Sequence, residues 1–143
     1  MINREYDGIK ELVKIALVDK LHLNIIIQYY VFGKRKVDIA RIYRVSKHTV
    51  NSVVFRHKTN GINIRFLKEN WKDLLSIRPI FTQIKRNRWC CEVCGKVVMS
   101  RYSHIVMRHS DLIESVTQLV INKELTYTTL EAVLIEYAQK YKK

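Results

Sequence analysis

Val37-Asp38-Ile39-Ala40-Arg41-Ile42-Tyr43-Arg44-Val45-Ser46-Lys47-His48-Thr49-Val50-Asn51-Ser52-Val53-Val54 carries two short helical patterns on either side of a tight turn. Ile39, Ala40 and Tyr43 share one face of the first, at i, i+1 and i+4. Ser46 offers an N-cap oxygen to the second, in which Val50, Val53 and Val54 line up as one apolar stripe. Val45 plugs the turn. Ala40 is small where two steeply crossing helices must touch.

This unit resembles a helix-turn-helix. Ala40 stands at that family's small position, Val45 just after the turn, and Val50 and Val53 at buried positions of the second helix. Arg44 departs from the pattern, because the turn usually has glycine or asparagine where φ must be positive. An arginine there costs about 1 kcal/mol. The resemblance implies a recognition helix over residues 46–56 with Lys47, His48, Thr49, Asn51, Ser52 and Arg56 facing outward. It assigns Lys47, His48, Asn51 and Ser52 to base edges in the major groove of DNA, and Arg41, Thr49, Arg56 and Lys58 to phosphates. Lys36 joins this DNA-binding set. Upstream, residues 21–33 read as an apolar supporting helix closed by Gly33, and residues 2–18 as another, with Ile9, Leu12, Val13, Ala16 and Leu17 on one side. That arrangement is similar to the last region of sigma factors and to resolvase DNA-binding domains.

Charge reinforces the reading. The net charge of the 143 residues is +13, and it is unevenly spread: residues 1–33 are neutral, 34–60 carry +7, 79–110 carry +5, and 111–143 carry −1. Such a surface attracts a polyanion by releasing its counterions, and double-stranded DNA is the partner to expect.

After the Asn60-Gly61 turn, residues 62–78 suit a connecting helix with Phe66, Leu67, Trp71, Leu74 and Leu75 as its apolar stripe. Pro79, the only proline, is expected to end it. Cys91, Cys94, His104 and His109 then follow a Cys-x2-Cys-x9-His-x4-His spacing. Two thiolates from a tight turn and two imidazoles about one helical turn apart can close a tetrahedron around one Zn2+, with no position left for a substrate. Cys90 is an alternative to Cys91, but the Cys-x2-Cys interval favours Cys91. Residues 81–89 can supply a strand, residues 89–98 read as strand, knuckle and strand, and residues 102–108 as a short helix bearing both histidines. This resembles a zinc finger of the two-cysteine, two-histidine type, with Trp89 at the aromatic position two before the first cysteine. Nine residues separate Cys94 from His104 where the common finger has twelve, so the finger's base-reading positions do not transfer. Arg101 and Arg108 are expected on phosphates. The zinc is expected to be structural, stabilising a lobe too small to fold alone.

Residues 110–123 and 128–142 look helical. The second opens on a Thr128-x-x-Glu131 capping box and carries Leu130, Val133, Leu134, Tyr137 and Tyr141 on one face. That stripe either folds back on the finger or pairs with a second copy in a homodimer.

The expected fold is mainly α. An N-terminal helical helix-turn-helix domain (1–60) leads through a connecting helix (61–79) to a small ββα zinc-finger lobe (80–110) and a C-terminal helical segment (111–143). No apolar run reaches the roughly 18 residues of a membrane span, and the N-terminus lacks a secretory pattern. Cysteines spaced for metal suit a reducing cytoplasm. No cluster of carboxylates marks an enzyme, and Tyr102 beside Arg101 and Arg108 is the one arrangement that hints at a nucleophile, so no catalysis is expected. The function expected is sequence-specific DNA binding in transcription regulation, with repression favoured. The alternative is an adaptor docking on RNA polymerase or another protein. Small size, the two motifs and an Ile-, Lys- and Tyr-rich composition look like gene regulators of archaeal viruses or plasmids, which implies a prokaryotic host cytoplasm.

Overall fold

The computed structural model describes residues 4–141, with the side chains of residue 4 and of residues 57–60 excepted. The chain is mainly helical, with one small antiparallel sheet: α1 Arg4–Val18, α2 Lys20–Tyr30, α3 Lys36–Tyr43, α4 Lys47–Asn60, α5 Ile64–Leu75, β1 Phe81–Lys85, β2 Arg88–Cys91, β3 Val97–Val98, α6 Arg101–Arg108, α7 Ser110–Ile121 and α8 Tyr127–Gln139. Helix α1 is central. It packs against α2 and α5 on the N-terminal side and against α6 and α7 on the other. Leu12, Val13, Ala16 and Leu17 are buried as their periodicity predicts, and Ile15 and Val18 are buried too. A helix covered from both sides needs an apolar surface nearly all round. Ile9, expected on the same face, is half-buried.

Asp19 separates α1 from α2. Its backbone is extended (φ −149°), and its carboxylate accepts from the N–H groups of Leu21 (3.0 Å) and His22 (3.3 Å). Helix α2 stops at Tyr30 rather than at Gly33. Gly33, at φ 65°, instead turns the chain so that Lys34 N–H reaches back to Gln28 C=O (3.0 Å).

Between α3 and α4 the chain turns through Arg44, whose φ of 54° and ψ of 45° are left-handed. Its neighbour Val45 donates to Ala40 C=O at 3.0 Å. Ser46 Oγ then accepts from Thr49 N–H at 3.0 Å, the N-cap bond expected of it. Ile39, Ala40, Val50, Val53 and Val54 are buried where the two helices meet each other and α2.

Helix α5 is shorter than the connecting helix expected over 62–78. Asn63 caps its start by accepting from Phe66 N–H (2.9 Å), and Ser76 ends it three residues before Pro79. Leu67 and Leu74 are fully buried, while Phe66, Trp71 and Leu75 are partly so. The sheet has the order β1-β2-β3. The segment expected as one strand over 81–89 is a hairpin, because Asn87 takes a left-handed conformation (φ 61°) and folds Arg88 back opposite Lys85. Trp89 sits between Gln83 and Val98, and Cys90 between Thr82 and Val97.

Helix α8 begins at Tyr127, one residue before the start expected, and its capping box is Thr126 with Thr129, not Thr128 with Glu131. Thr126 Oγ1 accepts from Thr129 N–H (3.1 Å) and Thr129 Oγ1 from Thr126 N–H (2.8 Å). With Thr126 as the cap, Thr128 lies inside the helix and Glu131 falls beyond the capping position; it accepts instead from Arg78 Nε at 2.8 Å. Helix α7 ends at Ile121 rather than 123, and Lys142 lies outside the described residues. Leu130, Leu134 and Tyr137 are buried, so the stripe of α8 folds back against α7. No helix among the described residues is long and apolar enough to cross a membrane.

Candidate metal centre and basic surface

Cys91 closes β2, and the chain then reverses through Glu92-Val93-Cys94-Gly95. Gly95, at φ 78°, donates to Cys91 C=O (2.8 Å), and Cys91 N–H returns to Lys96 C=O (2.9 Å). The backbone N–H groups of Cys94 and Val93 are aimed at the Cys91 sulfur, which favours its thiolate form. His104 lies on α6. His109 does not: at φ −134° and ψ 33° it is the break between α6 and α7, so the two histidines do not share one helix as expected. The break swings the His109 ring inward, where it is fully buried.

The four side chains converge. Cys94 Sγ is 3.3 Å from His104 Nε2, Cys91 Sγ is 3.6 Å from His109 Nε2, and the two Nε2 atoms are 3.2 Å apart. One ligand atom from each residue falls within 4.8 Å of all the others. Bond lengths of about 2.3 Å to sulfur and 2.0–2.1 Å to nitrogen, arranged as a tetrahedron, require edges of roughly 3.6 Å (S to N) and 3.3 Å (N to N). The donor set therefore fits one four-coordinate ion, bound through both Nε2 atoms. Cys90 lies outside this set. Its thiol is directed at the carbonyls of Cys91 and Gly95, at 3.9 and 3.8 Å.

Burial dominates the electrostatics of Cys91, His104 and His109. Burial pushes the Cys91 thiol up to about 11. Burial first, then His104 and Arg108, hold His109 down to about 4. His104 is also lowered, by burial and then by Lys96 and Arg108. Both imidazoles are therefore neutral near pH 7, the form that ligates. Tyr141, which the sequence placed only on an apolar stripe, has its hydroxyl 3.2 Å from His109 Nδ1. The Tyr137 and Tyr141 rings stand edge-on to the His109 ring, at 5.6 and 5.3 Å between centroids, and Phe81 covers His104.

The residues expected on DNA differ in exposure. Arg41, Lys47, His48, Ser52 and Arg56 are exposed on α3 and α4, and Arg108 is exposed on α6. Lys36, Thr49 and Asn51 are half-buried. Lys36 lies over the Tyr29 ring, and Thr49 Oγ1 is hydrogen-bonded to Ser46 Oγ (2.9 Å). The Lys58 side chain lies outside the described residues. Arg101 is engaged inside the molecule. It donates to Val18 C=O (3.3 Å) and to Asp19 Oδ2 (3.1 Å), and its guanidinium is 4.3 Å from the centre of the Trp89 ring. Tyr102, beside it, is stacked on His22 and 3.2 Å from that ring's Nδ1. No periodicity signals the contacts to Val18, Asp19 and His22, because each joins residues some 80 positions apart.

Compared with protein-family models, curated proteins and solved structures, the chain matches none.

Proposed function

We propose that this chain is a sequence-specific double-stranded DNA-binding regulator of transcription, with α3, its turn and α4 acting as a helix-turn-helix and the metal centre holding one structural Zn2+. The observation that carries the reading is the two-faced character of α4. It buries Val50, Val53 and Val54 and turns Lys47, His48, Ser52 and Arg56 to solvent. Short polar and basic side chains on one exposed helix face are what reaches base edges in the major groove, and Arg41 beside them suits a phosphate. The left-handed Arg44 supports the same reading, since the turn of that motif asks for such a residue.

Zinc suits two thiolates and two imidazoles at tetrahedral separations better than harder cations do. Four protein ligands leave the ion no open position, so its part is to hold the sheet, α6 and α7 together. On this reading the protein is not an enzyme. It represses by occupying promoter DNA, in a prokaryotic cytoplasm where thiols stay reduced.

Metal content and DNA binding test this together. One zinc per chain, with affinity for random duplex DNA falling steeply between about 50 and 200 mM salt, is the expected result. Binding that is indifferent to salt overturns it and favours an adaptor that docks on another protein.

A further inference from the structure

We infer that the β1–β2 hairpin is a second DNA contact, a clamp on the phosphate backbone beside the groove entered by α4; the inference rests on the DNA-binding reading above. The tip of the hairpin is Lys85-Arg86-Asn87-Arg88, and Lys96 leads into the neighbouring β3. Lys85, Arg86 and Lys96 are exposed, and Arg88 is half-buried. Among the described residues none of these four cations is paired with a carboxylate, whereas Arg35, Arg65, Arg78 and Arg101 each are. Arg88 spends one donor on Asn87 C=O (3.0 Å). Four cations without counter-charges on one small element are a site for a polyanion.

The tip is also held in place. Asn87 fixes the turn, and the strand register sets Lys85 opposite Arg88. Midway along β2, opposite Gln83, Trp89 lies against the Arg101 guanidinium, which is bonded to Val18 and Asp19 where α1 meets α2. The same junction receives α4, which packs against α2, and His22 of α2 is stacked on Tyr102 of α6. Helix α4, packed on α2, and the hairpin, held through Trp89 and Arg101, are thus both fixed to the α1–α2 unit. Two cationic elements fixed to a common anchor suit a stiff, regularly charged partner, which duplex DNA is. Rigid presentation also spares the ordering cost that a flexible basic loop would incur on binding.

The test follows DNA binding across a salt series for three proteins, all zinc-loaded. They are wild type, a tip variant (Lys85→Ala with Arg86→Ala) and a helix variant (Lys47→Ala with Arg56→Ala). Both tip residues are exposed, and helix content with zinc stoichiometry confirms that the variants fold. In the tip variant the slope of log affinity against log salt is expected to drop by about 2, with affinity near 0.1 M salt falling roughly 10- to 100-fold. Hydroxyl-radical protection should vanish at one edge of the footprint and persist at its centre, while the helix variant loses the centre. A tip variant with the wild-type slope and footprint, against a wild type that binds, sinks the clamp and leaves the DNA-binding reading standing. A wild type that ignores duplex DNA overturns both.

Discussion

The Tyr141 hydroxyl lies 3.2 Å from Nδ1 of His109 and 3.3 Å from the carbonyl of Arg108. With Nε2 of His109 turned into the candidate metal centre, Nδ1 carries the ring proton and donates it to Tyr141, which donates in turn to Arg108 C=O. A partner of this kind fixes the tautomer and the ring plane of a metal ligand. Tyr141→Phe keeps the ring against His109 and removes only the hydroxyl. Zinc affinity should fall about 10-fold, read by competition with a chromophoric chelator, while helix content of the loaded protein stays unchanged. An affinity equal to wild type would show that burial alone orients His109.

Proton release on metal binding follows from the shifts at the same site. His109, held down to about 4, is already neutral at pH 7 and has no proton to lose. Cys91, pushed up to about 11, is a thiol at pH 7 in the metal-free protein and must lose its proton to ligate. Affinity therefore rises with pH below that value and falls as pH drops, by at least about tenfold per unit near neutrality. Titration in two buffers of different ionisation enthalpy should detect one or more protons released per ion. An affinity that is flat between pH 6 and 8 counts against thiolate ligation.

Local patterns carried far into this fold, and distant contacts did not. The spacing of Ile39, Ala40, Val50 and Val53 predicts two helices that meet, and they do. Cys91, Cys94, His104 and His109 were legible because metal geometry constrains spacing, even though His109 turned out to break a helix. The hairpin was not legible, since its turn depends on Asn87 between basic residues rather than on a glycine. Nor was the Glu131 contact, because its partner Arg78 is 53 positions away. Gly8 gave no signal either, although Asn63 packs so closely that a Cβ there would stand 2.6 Å from its backbone nitrogen.

Strain at Arg44 can be relieved by one substitution. Its left-handed backbone (φ 54°, ψ 45°) costs an L-residue with a Cβ, and its side chain is exposed. Arg44→Gly should therefore stabilise the protein by about 1 kcal/mol, offset in part by greater freedom of the unfolded chain. Urea unfolding at saturating zinc measures this. A loss of stability would mean that the Arg44 side chain contributes more than its exposure indicates.

Arg101 separates a structural role from a DNA-binding one. The sequence places it on phosphates, but its guanidinium joins the α1–α2 junction to Trp89 on β2. Its side chain is 22% exposed and that of Asp19 13%, so the pair is largely shielded from water. Asp19 keeps its two N-cap bonds if Arg101 is removed, which places the cost below that of a fully orphaned buried charge. Arg101→Ala should destabilise the zinc-loaded protein by about 2 kcal/mol, and Arg101→Lys by roughly half as much, since lysine restores charge without the planar fork. DNA affinity, measured well below the unfolding transition, should keep the wild-type salt slope. A slope lowered by about 1 with stability unchanged would return Arg101 to the phosphate contacts.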